Sequence, residues 1–156
     1  MTDIYERELK GILSGEEHYM ERASRWSGDY NVLRKHPFLV VKAGGSFGID
    51  LLAAREFMVL PIEVKASASQ VFRFSNNRNL AKQAASMVTE CGRAKLVPVY
   101  AFRLKNAPGD PWRLFMIGSL ENSFTRLLPA VETNKGGNMT MRWEKGLPLG
   151  AFVRQL

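Results

Sequence analysis

Ile49-Asp50-Leu51-Leu52-Ala53-Ala54, a turn at Arg55-Glu56, and Phe57-Met58-Val59-Leu60-Pro61-Ile62-Glu63-Val64-Lys65 together decide the fold. Both runs are dominated by apolar residues and the link between them is short, which predicts two strands of a hairpin. Side chains two apart in a strand share a face, so Glu63 and Lys65 project together while Val64 enters the core. The hairpin also allows Asp50, distant in sequence, to stand beside them. Pro61 has no N–H, which predicts a bulge or an unpaired position there.

Upstream, Phe38-Leu39-Val40-Val41-Lys42 reads as another short strand, and Gly44-Gly45-Ser46-Phe47-Gly48 as a flexible link. This link lacks the Gly-Lys-Ser/Thr ending of a phosphate-binding loop and opens a strand instead of a helix. Residues 3–25 read as a helix, with Ile4, Leu9, Ile12 and Leu13 compatible with one face. Gly11 and Ser14-Gly15 weaken its middle, and Asp3 with Glu6 fits a capping box. Residues 26–36 read as a polar loop. Downstream, Ala66 to Asn77 is polar. Leu80, Ala84, Met87, Val88 and Cys91 then form one helical stripe that Gly92 can end. Ala94 to Phe102 and Trp112 to Ile117 read as strands around a turn at Pro108-Gly109-Asp110-Pro111. Residues 119–130 fit a short helix, 133–138 a loop, and Met139 to Trp143 an edge strand. The order predicts one α/β domain over residues 1–156, with a mixed central sheet flanked by helices. One helix crosses between the third strand and the strand at 95–102.

The chain has 156 residues, 46% hydrophobic and 24% charged. That is ordinary for a globular protein, and long enough to bury a core without disulfides. The formal net charge is +7 and the pI about 9.8, with Lys and Arg spread along the chain. Such a surface suits a polyanion, because phosphate contacts release condensed counterions; solubility or attraction to a membrane surface is the plainer explanation. The single cysteine, Cys91, forms no internal disulfide, sits on the apolar side of its helix, and implies a reducing, cytoplasmic compartment. No leader signal or bilayer-length apolar run is present, so no membrane partner is expected. His18 and His36 lack zinc-ligand spacing.

Asp50, Glu63 and Lys65 would place two carboxylates and an ammonium in one shallow site. Phosphodiester cleavage uses such a set. Hard oxygen ligands suit Mg²⁺, with Mn²⁺ as a substitute, and the metal polarises phosphate and activates water. Lys65 either orients the attacking water or stabilises charge developing on phosphorus. Glu6 either adds a carboxylate from the first helix or serves the capping box. A Glu-x-Lys pair is common on amphipathic strands as a solvated ion pair. Asp50 is harder to explain that way, since a lone carboxylate in an apolar strand is costly.

The arrangement YERELKGIL, KAGGSFGIDLLAA and LPIEVKAS resembles the archaeal Holliday junction resolvases of the Hjc type, in the PD-(D/E)xK nuclease superfamily. The matching positions are Glu6, Ser46, Asp50, Glu63 and Lys65, and the likeness runs over about residues 3–117. It implies a restriction-endonuclease-like nuclease core, with residues 118–156 as a C-terminal extension. It further implies catalytic roles for those five residues, with Glu6, Asp50 and Glu63 as metal ligands. The expected protein is a Mg²⁺-dependent homodimer that cuts branched double-stranded DNA at four-way junctions. Arg7, Lys10, Lys42, Arg73, Arg78 and Lys82 are candidate contacts to the DNA backbone, each with a plain reading as surface charge. Phe72 and Phe74 flank Arg73 and either stack on bases or pack; packing is favoured. Three departures stand out. The segment at about 14–36 is longer than the family's usual connection, Ile49 replaces the Pro that names the superfamily, and residues beyond 118 have no clear counterpart. Another nuclease of the superfamily, acting on branched or linear duplex, is the alternative. A non-catalytic nucleic-acid-binding module is the alternative of a different class.

Overall fold

The computed structural model describes residues 3–118 and 125–156. The apolar runs form an antiparallel meander of β1 (Leu39–Lys42), β2 (Leu51–Arg55) and β3 (Met58–Ser67). Arg55 pairs with Met58, so Glu56 and Phe57 make the tight turn, and Glu56 takes a left-handed φ of 54° to close it. The polar stretch that follows contains a short strand, β4 (Val71–Arg73), that its polarity did not predict. Helices α1 (Asp3–Leu13), α2 (Glu17–Trp26) and α3 (Val32–Lys35) precede the meander, and α4 (Arg78–Arg93) follows β4. Helix α4 is the predicted crossover: it leads to β5 (Val99–Leu104), which lies parallel to β3. Strand β6 (Trp112–Met116) returns antiparallel.

The expectation of a mixed sheet flanked by helices is met, and the chain after 118 completes it. Glu132–Thr133 (β7) and Met139–Arg142 (β8) join β4 in a small antiparallel sheet of order β4-β8-β7. Strand β8 is therefore central there and not an edge. Leu147–Pro148 (β9) pairs with β6, giving a large sheet of order β1-β2-β3-β5-β6-β9. Leu149–Arg154 (α5) then buries Leu149, Phe152 and Val153. Of the short helix expected at 119–130, residues 119–124 lie outside the described residues; Thr125–Leu127 make one 3-10 turn.

Strand alternation sorts the sheet's side chains into two cores. Leu60, Ile62 and Val64 of β3 pack with Leu9, Ile12, Met20 and Phe152 on one face. On the other, Tyr100 and Phe102 of β5 pack with Ala84, Met87 and Cys91 of α4 and Met141 of β8. Cys91 is core, as expected, and burial pushes its thiol pKa up.

Several local expectations need correction. The helix expected over 3–25 does break at the weak point: Gly15, at φ 73°, ends α1's extension where a Cβ would meet the Leu33 carbonyl at 2.6 Å. Residues 26–36 are not simply a polar loop. A 3-10 turn (Gly28–Asn31) and α3 bury Tyr30 and Leu33, and the Tyr30 hydroxyl donates to Asp110 Oδ1 at 2.7 Å. Asp110 Oδ2 accepts the Gly150 amide at 3.0 Å, so the turn before β6 also fastens α5. Helix α4 runs past Gly92, and left-handed Lys95 (φ 58°) redirects the chain, so β5 starts later than expected. Pro61 makes no bulge; it pairs in register with Leu52. Because Ile62 turns its carbonyl to the β2 side, Pro61 turns its nitrogen away. There, pairing with β5 begins only at Ile62, so no ladder bond is lost.

Candidate active site

Glu63 and Lys65 share the face of β3 that looks away from α1, while Val64 between them is fully buried on the α1 side. The Lys65 ammonium meets Glu63 Oε1 at 2.8 Å, and both side chains are about nine-tenths buried. Lys65 Nζ also lies 5.9 Å from the centre of the Phe72 ring. Phe72 packs edge-on against Phe74 and Phe102, so these phenylalanines build the floor beside Lys65, and Phe74 is core.

Asp50 comes from a bulge, one residue before β2 begins. The ladder pairs Leu51 with Ile62, yet the Asp50 amide donates to the Ile62 carbonyl at 2.9 Å. Two residues of one chain segment thus address one residue of its partner, which is a β-bulge. The bulge frees the Asp50 carboxylate to enter the gap where β2 stops. Its Oδ2 accepts the Val64 amide at 2.8 Å, replacing a ladder bond that β2 no longer supplies. This anchor sets the Asp50 carboxylate near enough to Glu63 for its charge to act on it.

The electrostatics follow from that crowding. Burial raises the Glu63 carboxyl most; the Lys65 ammonium pulls it down, the Asp50 carboxylate pushes it up, and the outcome is a pKa of about 7. Tyr100 pairs with Glu63 in the parallel register and is buried on the same face. Burial, and then the negative fields of Glu63 and Asp50, hold its phenol above the ordinary range. Tyr100 is therefore a wall of the site that sequence reasoning missed. Alternation in its strand was readable, but the register against β3 was not.

Ser46 stands exposed in a 3-10 turn (Ser46–Gly48) of the loop leading to Asp50. Backbone hydrogen bonds close this loop on itself. The Gly45 amide bonds to the Ile49 carbonyl at 2.9 Å, and the Ile49 amide to the Ser46 carbonyl at 2.9 Å. Gly48 has a φ of 81°, and a Cβ there would meet the Gln83 carbonyl of α4 at 2.9 Å.

Glu6 lies half-buried on α1. Among the described residues no group of three or more Asp, Glu, His or Cys side chains is arranged to hold a metal ion. The Asp50–Glu63 pair is thus not joined by Glu6 in this conformation. Nor does Asp3 cap α1: it is already helical, and its carboxylate pairs with Lys42 at 3.1 Å and Arg7 at 3.3 Å. Of the candidate DNA contacts, Arg7 and Lys42 are therefore engaged at the α1–β1 seam. Lys10 is half-buried on α1. Arg73, Arg78 and Lys82 are exposed at the end of β4 and on the first turns of α4, the helix that the loop of Ser46 packs against.

The donor set fits a hard divalent cation. It offers two carboxylates, one of which burial and then its carboxylate neighbour hold back from ionising against the pull of Lys65, and Mg²⁺ is commonly held by one or two carboxylates plus phosphate oxygens.

No family model matches the sequence, and no curated protein does. Among solved structures the chain is similar to Hjc, a Holliday junction resolvase from the archaeal hyperthermophile Archaeoglobus fulgidus. The TM-score is 0.52 at 21% identity, over 85% of this chain and 95% of that one. The likeness establishes the fold, and its share of this chain is larger than residues 3–117 alone would supply.

Proposed function

We propose that this chain is a metal-dependent endonuclease that resolves branched DNA, four-way junctions above all, by phosphodiester hydrolysis. The observation that carries the reading is the buried Glu63 carboxylate beside half-buried Asp50, with Lys65 in contact, on a fold like that of a Holliday junction resolvase. Asp50 and Glu63 would hold Mg²⁺ or Mn²⁺, which when bound supplies phosphate polarisation and water activation. Lys65 donates toward the reacting phosphate or the attacking water, fixed in place by Glu63 and by the Phe72 ring. Asp50 is oriented by the Val64 amide, so its free oxygen is presented with little rotational freedom. Arg73, Arg78 and Lys82 contact the phosphodiester backbone beside the site, and Ser46 offers a hydroxyl from the adjacent loop. A homodimer would place two such sites for paired cuts.

The test is cleavage by the purified protein with Mg²⁺ of a synthetic four-way junction and of linear duplex of the same sequence. The junction is cut preferentially, and Asp50→Asn or Glu63→Gln abolishes cutting while binding survives in Ca²⁺. Equal cutting of both substrates leaves a nuclease of wider scope. No cutting at all, with binding intact, leaves a nucleic-acid-binding module. Normal cutting by either variant removes the site assignment.

A further inference from the structure

A second depression of about 510 Å³ lies on the opposite face of the large sheet. Arg103 points there because its neighbour Phe102 takes the face shared with Tyr100. Helices α1 and α2 supply the walls, and the lining includes Tyr5, Tyr19, Arg22, Arg103, Lys105 and Asn106. Helix α2 contributes Tyr19 and Arg22 to this lining.

Its charge is unbalanced. Arg7, Arg22, Arg103 and Lys105 line it against a single carboxylate, Glu8. Glu8 is buried and fully engaged: Oε1 accepts Arg103 Nε and Trp112 Nε1, both at 2.8 Å. Oε2 accepts Arg103 Nη2 at 3.3 Å and Arg22 Nη1 at 3.4 Å. Arg7 is paired with Asp3. Glu8 thus offsets Arg103, and the surplus positive charge rests on Arg22 and Lys105. Flat aromatic surface lies alongside: Arg103 and Lys105 sit 5.0 and 5.8 Å from the Tyr5 ring centre, and Tyr19 stands edge-on to His18 at 5.0 Å. Cations beside planar rings, in a cleft of this size, match a phosphate monoester joined to a planar base.

We infer that this cleft binds a nucleoside monophosphate unit, with the phosphate on Arg22 and Lys105 and the base against Tyr5 and Tyr19. The unit is either a free nucleotide or the phosphorylated end of a DNA strand. The inference does not rest on the nuclease reading, because no residue of the Asp50–Glu63 site takes part.

The test is calorimetric titration of the full chain in EDTA, which silences any metal-dependent chemistry. The ligands are thymidine 5′-monophosphate, thymidine, inorganic phosphate, and a short single strand with and without a 5′-phosphate. Thymidine 5′-monophosphate binds more tightly than thymidine or phosphate. The double variant Arg22→Ala/Lys105→Ala weakens it by about tenfold or more, with an unchanged unfolding curve. Tyr5→Leu weakens the nucleotide but not phosphate. Tighter binding of the phosphorylated strand assigns the site to strand ends, and tighter binding of the mononucleotide to free nucleotides. Binding no better than that of inorganic phosphate overturns the inference, as does affinity unchanged in the double variant.

Discussion

Replacing Glu63 by Gln makes the metal-free protein more stable at alkaline pH and leaves it unchanged in acid. Unfolded, this carboxyl titrates near its ordinary value of 4.5; folded, at about 7. Between those values the folded chain holds a proton that the unfolded chain has released, so stability falls as pH rises through that window. The loss is complete above pH 7 and absent below 4.5. The displacement from 4.5 to about 7 is equivalent to about 3 kcal/mol. Glutamine has the shape of the protonated acid and never ionises, so the variant escapes the penalty. The assay is urea unfolding of both proteins in EDTA at about pH 4 and about pH 8.5. Other groups titrate alike in both, and the readout is the difference between them. That difference is near zero in acid and grows to about 3 kcal/mol in favour of Gln in alkali. A difference that does not change with pH would refute the reasoning, as would a Gln variant that is the weaker protein at alkaline pH. The first would mean that the Lys65 ion pair offsets burial and the Asp50 charge, the second that it outweighs them.

Two further perturbations probe the scaffold. Glu8→Ala leaves Arg103 buried without its counter-charge and Trp112 without its acceptor, and costs about 3–5 kcal/mol in urea unfolding; a cost within about 1 kcal/mol would deny Glu8 its anchoring role. Gly48→Ala imposes a Cβ on a left-handed residue 2.9 Å from the Gln83 carbonyl, and Gly44→Ala imposes one in open space at a similar φ of 65°. Gly48→Ala is therefore the more damaging, by about 1–3 kcal/mol, and equal losses would mean that close approach to α4 contributes nothing.

What could be read in advance was whatever depends on periodicity. The β2–β3 hairpin, the crossover of α4 and the break between α1 and α2 all carry local signals: alternation, a helical stripe, and Ser14-Gly15. Elements defined by their partners were missed. Strands β4, β7 and β9 are two or three residues long and exist because another strand lies beside them. Residues 28–35 looked polar because few of them turn inward, Tyr30 and Leu33 fully and Val32 in part, and it is Asp110, eighty residues away, that holds Tyr30. The site was legible in its residue types and in the common face of Glu63 and Lys65. The bulge at Asp50 was not, because Pro61 was the residue with an obvious reason to disturb the ladder. A proline whose nitrogen faces an unpaired stretch disturbs nothing, while a carboxylate that takes over an amide disturbs it usefully.

The two buried glutamates differ in how far their charge is matched where they stand. Glu8 and Glu63 are the buried charged residues among those described, at 5% and 7% exposure. Glu8 receives four hydrogen bonds from Arg103, Arg22 and Trp112, so its charge is matched where it stands. Glu63 has Lys65 on one side and the Asp50 carboxylate on the other, so two potential negative charges face one ammonium, and the fold holds Glu63 back from ionising near neutrality. A core does not need that arrangement; a second arginine or an apolar residue would relieve it. Retaining it costs stability that only an added positive charge can restore. A divalent cation should therefore raise stability at alkaline pH in the native protein far more than in Glu63→Gln. An equal response in the two would show that the pair is not where the ion binds.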